Sequence, residues 1–200
     1  VTVSDLTTKY RIEGDKIMLH PARRIVTGHN AEGRSIVVSD GLATNIVSNP
    51  LRPNRGLTNL WRMDKMPPDN GAFVDPTAGA TIGLEPPKAG NVFRFFQIAP
   101  DKEEAHLPMA ERQQRAAAIF AGMGAAHARV DTRRHPAMHK TESVDYIILL
   151  SGEVTLLLDE GEVAMKPFDV VIQRGTNHAW RNDGDVPAVL CGVLIAAEGA

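Results

Sequence analysis

From Tyr146 to Ile195 the chain is interrupted every few residues by a turn. Tyr146-Ile147-Ile148-Leu149-Leu150 gives way to Ser151-Gly152-Glu153, and Val154-Thr155-Leu156-Leu157-Leu158 to Asp159-Glu160-Gly161. Val163-Ala164-Met165, Val170-Val171-Ile172-Gln173, His178-Ala179-Trp180 and Val189 to Ile195 follow at similar intervals. Short runs rich in branched residues, at regular spacing and bounded by glycine-bearing turns, call for an antiparallel barrel or sandwich. The C-terminal third is therefore expected to be all-β.

The earlier part of the chain has a different character. Arg24-Ile25-Val26-Thr27 and Ser35-Ile36-Val37-Val38 flank a glycine-containing turn and read as a hairpin. Leu57 to Met63 and Asn91 to Ile98 are further strand candidates, while Met66-Pro67-Pro68-Asp69-Asn70-Gly71 and Pro86-Pro87 can only be loop. Residues 1–107 are read as a β arm laid on the barrel or on a partner subunit. Residues 108–126 hold a helix, with Pro108 suited to its first turn, Glu111 inside that turn, and Gly122 and Gly124 at its end. Met109, Ala116, Ile119, Phe120 and Met123 form one apolar stripe on it, for packing on the barrel or for a lid over a cavity. Residues 133–200 form the barrel core, and the whole is expected to be one structural domain.

Several function classes are disfavoured at this point. The formal net charge is −2, with Lys and Arg scattered, so a nucleic-acid partner lacks its electrostatic footprint. No apolar stretch reaches the roughly 18 residues that a membrane span needs. The N-terminal residues lack the basic and apolar regions of a signal peptide. Cys191 is the single cysteine, which suits a reducing cytoplasm, and its apolar surroundings suggest a buried, inert thiol.

Two segments carry a specific likeness. His139-Lys140-Thr141, then Asp145, then Gly152 resembles the first conserved motif of the cupin superfamily, a His-x-His pair followed by an acid and a glycine. Gly175, His178 and Asn182 match the core of the second motif, Gly-x-x-His-x-x-x-Asn. There are departures: Thr141 stands at the second histidine, Phe168 where a glycine is usual, and the proline before Gly175 is absent. The chain is also similar to a cupin subgroup with Met-His-x-Thr, Asp-Tyr and Gln-Arg-Gly-Thr-x-His-x-Trp signatures. The resemblance implies an all-β double-stranded β-helix (jelly roll) with an N-terminal β arm and one helix.

It also implies a divalent metal (Fe, Zn, Mn or Ni) on His139, Asp145 and His178, with positions left open for water or substrate. His135, Thr141, Glu142, Tyr146, Gln173 and Trp180 are further candidates as ligands or pocket residues. By fold analogy the chain would be a metal-dependent enzyme on a small carbonyl, phenolic or carboxylate compound, with dioxygenation ahead of decarboxylation or isomerisation. The alternative is a non-catalytic small-molecule-binding barrel in which Thr141 marks a degenerate metal site. Open strand edges and the arm point to a homodimer with exchanged N-terminal strands.

Overall fold

The computed structural model describes residues 18–199. Eleven strands run β1 (Arg23–His29), β2 (Ser35–Leu42), β3 (Asn45–Asn49), β4 (Arg52–Met63), β5 (Asn91–Ile98), β6 (Ser143–Ser151), β7 (Val154–Leu158), β8 (Glu162–Met165), β9 (Val170–Arg174), β10 (His178–Arg181) and β11 (Ala188–Ala196). One α-helix, α1 (Met109–Gly122), lies between β5 and β6. No helix among the described residues is long and apolar enough to cross a membrane.

Six strands form one sheet in the order β3-β4-β5-β11-β6-β9, and three form a second in the order β10-β7-β8. The main core lies between them: Ile98, Ile147, Leu149 and Leu190 from the larger sheet meet Val154, Leu156, Met165 and Trp180 from the smaller. The fold is mostly β, two sheets facing across one core, as the turn spacing calls for. The sequence-based hairpin is the isolated two-stranded sheet β1–β2. Its turn is held by the Asn30 side-chain oxygen, which accepts from the backbone amides of Glu32 and Arg34.

The N-terminal half does more than lie on the barrel. β4 and β5 are interior strands of the large sheet, and β5 pairs with β11 from Ala188↔Ile98 to Ile195↔Asn91. Side chains alternate across a pleated strand, so Arg94, Phe96 and Ile98 of β5 face one way and Phe93 and Phe95 the other. The second pair packs on a separate cluster of Ala22, Ala43 and Leu60. The same period governs β6, where Ser143, Asp145, Ile147 and Leu149 are buried in alternation.

Two motif residues explain themselves at this level. Gly152 turns β6 into β7 at φ +80°, and a Cβ there would meet the Ala188 Cα at 2.8 Å, so only glycine fits. Asn182 is wholly buried. Its amide nitrogen donates to the carbonyls of Ile98 and Val186, each at 2.9 Å, and its oxygen accepts from Gly184 N. It ties the end of β10 to the end of β5 and has no chemistry to offer a ligand. Cys191 is only partly buried, a small correction to the sequence reading, and burial raises its thiol pKa so that it stays protonated.

Candidate functional site

The site begins with two backbone hydrogen bonds. His139 N donates to His178 O at 2.9 Å and His178 N donates to His139 O at 2.8 Å, an antiparallel bridge between the segment entering β6 and the first residue of β10. Residues exchanging both bonds in this way project side chains from the same face. The imidazoles consequently lie side by side, their ring centroids 4.3 Å apart.

Each ring is oriented by its other nitrogen. His139 Nδ1 lies 2.8 Å from Ala137 O, and His178 Nδ1 lies 2.9 Å from Thr176 O. A carbonyl only accepts, so both Nδ1 atoms carry the proton and both Nε2 atoms keep a lone pair. Burial holds the two rings neutral: it pulls the His139 pKa down to about 3, helped by His178 and Arg55, and that of His178 down to about 4. Phe120 of α1 packs on His139 at 5.0 Å, and Trp180 meets His178 edge-on at 5.7 Å.

The pair opens on a cavity of about 350 Å³ between the large sheet and α1. Leu57, Phe96, Ile147 and Leu194 supply apolar wall from the sheet, and Ile119 and Phe120 of the helix, with Met123 just past its end, supply the rest. Of the two uses the sequence left open for the helix, packing and covering, α1 serves both. The polar lining includes Arg55, Arg94 and Asp145. Asp145 is 4% exposed, and its Oδ1 has no hydrogen-bond partner among the described residues. Burial raises its carboxyl pKa to about 6, against the Ser143 hydroxyl and the Arg94 guanidinium, which pull it down. Arg94 is equally enclosed and donates from Nη1 to the carbonyls of Gly83 and Leu84.

The structure thus brings His139 and His178 together and puts Asp145 on the same cavity wall. Among the described residues, however, no three His, Cys, Asp or Glu side chains stand close enough to share one ion. The donor chemistry still fits a divalent cation at the pair. Metal-bound histidines are typically neutral and fixed through the opposite nitrogen, as both rings are here. The bare, buried Asp145 oxygen is a further acceptor facing the same space.

Five further candidates are corrected. His135 donates from Nε2 to Asp101 Oδ1 at 2.8 Å and accepts from Ala137 N at Nδ1, so neither nitrogen is free for a metal. Thr141 is buried against the Ser143 hydroxyl at 2.9 Å and does not line the cavity. Glu142 is exposed, and Tyr146, 48% exposed, falls on the outer face of β6 by the strand's alternation. Gln173 is buried opposite Asp145 but donates to Thr176 rather than into the cavity. Trp180 does line it. Sequence reasoning missed Arg55, Arg94 and Phe96, which stand on strands from the N-terminal half.

Residues 127–195 match the family model for the Cupin domain. This stretch is a cupin domain. Among relatives, the phomopsin biosynthesis cluster protein C' of Diaporthe leptostromiformis is 59% identical over 46 residues, 22% of this chain and 24% of that protein. The chain thus spans about a quarter of the length of the phomopsin-cluster relatives it matches. The cupin-domain-containing oxidoreductase fogC of Aspergillus ruber is 25% identical over 179 residues, 86% of this chain and 71% of that protein. Among solved structures, a putative ethanolamine utilization protein Q from Salmonella typhimurium aligns over 91% of this chain and 100% of its own, at 11% identity and a TM-score of 0.40.

Proposed function

We propose that this chain is a metal-dependent cupin enzyme of oxidoreductase type, acting on a small and largely apolar organic molecule. The observation that carries the reading is the pair of neutral imidazoles, each with its Nε2 lone pair free, at the wall of a cavity large enough for such a molecule. His139 and His178 would hold the metal, with Asp145, on the same cavity wall, the candidate for a third contact. The metal, when bound, supplies polarisation of a substrate oxygen or activation of O2.

The chain's own residues perform the remaining tasks. Ile119 and Phe120 of α1 and Met123 at its end shield the cavity from water, and Phe120 packs against the His139 ring. Asp145 holds a proton below about pH 6 and releases it above, at a carboxyl facing the cavity. Oxidoreductase is the word attached to fogC and two further relatives that carry a cupin domain, and it supports the reaction class. Dioxygenation is the first reaction to assay.

A second reading has one observation in its favour. Thr141, at the place of a motif histidine, is turned to Ser143 and away from the cavity, as in a barrel that binds its ligand without metal. Elemental analysis separates the two. Near-stoichiometric iron, zinc, manganese or nickel in freshly purified protein, lost in a His139→Ala/His178→Ala double variant, is the expected outcome. No metal in either protein, even after reconstitution, would leave the metal-free binding barrel.

A further inference from the structure

The region beside the cavity is dense in charge, and all but one of its four arginines is paired. Arg52 donates to Glu104 at 2.9 Å, to Glu103 at 3.2 Å and to the Pro100 carbonyl. Arg115 pairs with Glu111 at 2.7 Å and approaches Glu104 at 3.6 Å. Arg112 reaches Asp101 at 3.3 Å, and that carboxylate also accepts from His135 and from Asn182 N. The acids are therefore spoken for.

Arg55 is the exception. It feels Asp101 and Glu104 only as charges and has no ion pair or hydrogen-bonded partner among the described residues. Desolvation weighs most against its charge, and its neighbours Arg52 and Arg112 repel it as well, so the charge is held there at a cost. It lines the same cavity as the histidine pair, and its charge adds, after burial and His178, to what disfavours protonation of His139. Arg94, the other cation on the wall, differs: its Nη1 is tied to two carbonyls, and Asp145 lies close enough to act on it as a counter-charge.

A guanidinium offers a planar fork of donors that matches a carboxylate, and a charge kept in a mostly apolar cavity needs an opposite charge. We propose that Arg55 anchors a carboxylate of the substrate, setting its apolar body along Leu57, Phe96 and Met123 and its reacting end at His139 and His178. This deepens the enzyme reading and rests on the cavity being the substrate site. It narrows the substrate class to organic acids with an apolar body. A neutral analogue leaves the half-buried guanidinium unpaired, which is where the discrimination arises.

The test is calorimetric titration of chelator-treated protein with 3-phenylpropionate and with its neutral amide. The wild type is expected to favour the carboxylate by roughly tenfold or more, the gain of a charge-assisted hydrogen bond. Arg55→Met should bind the two probes equally while keeping the wild-type melting temperature, and Arg55→Lys should retain part of the preference. The assignment is overturned by a wild type without preference, or by a preference that survives Arg55→Met. It is equally overturned if the preference appears only after zinc is added and vanishes in His139→Ala/His178→Ala, because the carboxylate then sits on the metal. Since the decisive titration runs without metal, its failure is distinguishable from failure of the metal reading, which elemental analysis reports separately.

Discussion

His139, His178 and Asp145 pull against one another in acid. In the unfolded chain the two imidazoles take up protons near pH 6.5, whereas in the fold they stay neutral down to about pH 3 and about pH 4. Depressed histidine pKa values stabilise the fold above 6.5 and cost stability as pH falls below it. Asp145 acts oppositely: raised from 3.8 to about 6, it binds its proton earlier in the folded state and stabilises the fold as pH drops through 6. Between about pH 6 and pH 4 the unfolded chain thus holds two protons on these three groups, one on each imidazole, and the folded chain one, on Asp145. One net proton corresponds to a loss of about 1.4 kcal/mol per pH unit. Denaturant melts of chelator-treated protein at several pH values in this window should show that slope, and His178→Gln should flatten it. A slope unchanged in the variant would mean that His178 is not the neutral, buried group described.

At the scale of elements, the turn between β8 and β9 carries a local misfit. Phe168 has φ +76° and is 80% exposed, in a turn pinned by Phe168 N donating to Leu149 O and Lys166 N donating to the Asp169 carboxylate. A side chain in the left-handed region costs about 1 kcal/mol or more, and this one gains little by burial. Phe168→Gly is expected to raise stability by about 1 kcal/mol, read as an upward shift of the melting temperature. A lower melting temperature would show that the ring makes a contact worth more than the backbone strain.

The same turn marks how much the sequence disclosed. Phe168 stands at a position where cupins carry glycine, and the backbone there does adopt a glycine conformation. His139, His178, Gly152 and Asn182 were legible because they stand in register with the two motifs that the sequence resembles. Asp145 was named by the same likeness as a metal ligand, but its separation from the histidine pair was not legible. Arg55 and Arg94 were illegible because their role depends on β4 and β5 joining β11, far away in sequence, and neither strand alternates cleanly enough to announce an inner face. His135 and Tyr146 misled by proximity along the chain: one is taken by Asp101, and strand alternation turns the other outward.

For the molecule as a whole, the cupin match and the folding unit are different things. The matched residues 127–195 contain both histidines and Asp145 but only part of the cavity wall. β11 would lose its partner β5 along its length, and the core would lose Ile98 and Phe96. A fragment of residues 127–200 is therefore expected to be unfolded or aggregated, without the cooperative melt of the described fold, by circular dichroism and calorimetry. A cooperative transition in the fragment would show that the N-terminal strands are dispensable.

The mounting of the two histidines has a longer-term consequence. Their separation is dictated by main-chain bonds between positions 139 and 178, which any pair of residues other than proline can make. The positions should therefore outlast the side chains placed on them. A descendant could exchange either imidazole for a thiol, an amide or a carboxylate without re-tooling the barrel, and selection could explore new reactivity by single substitutions in a frame that stays put.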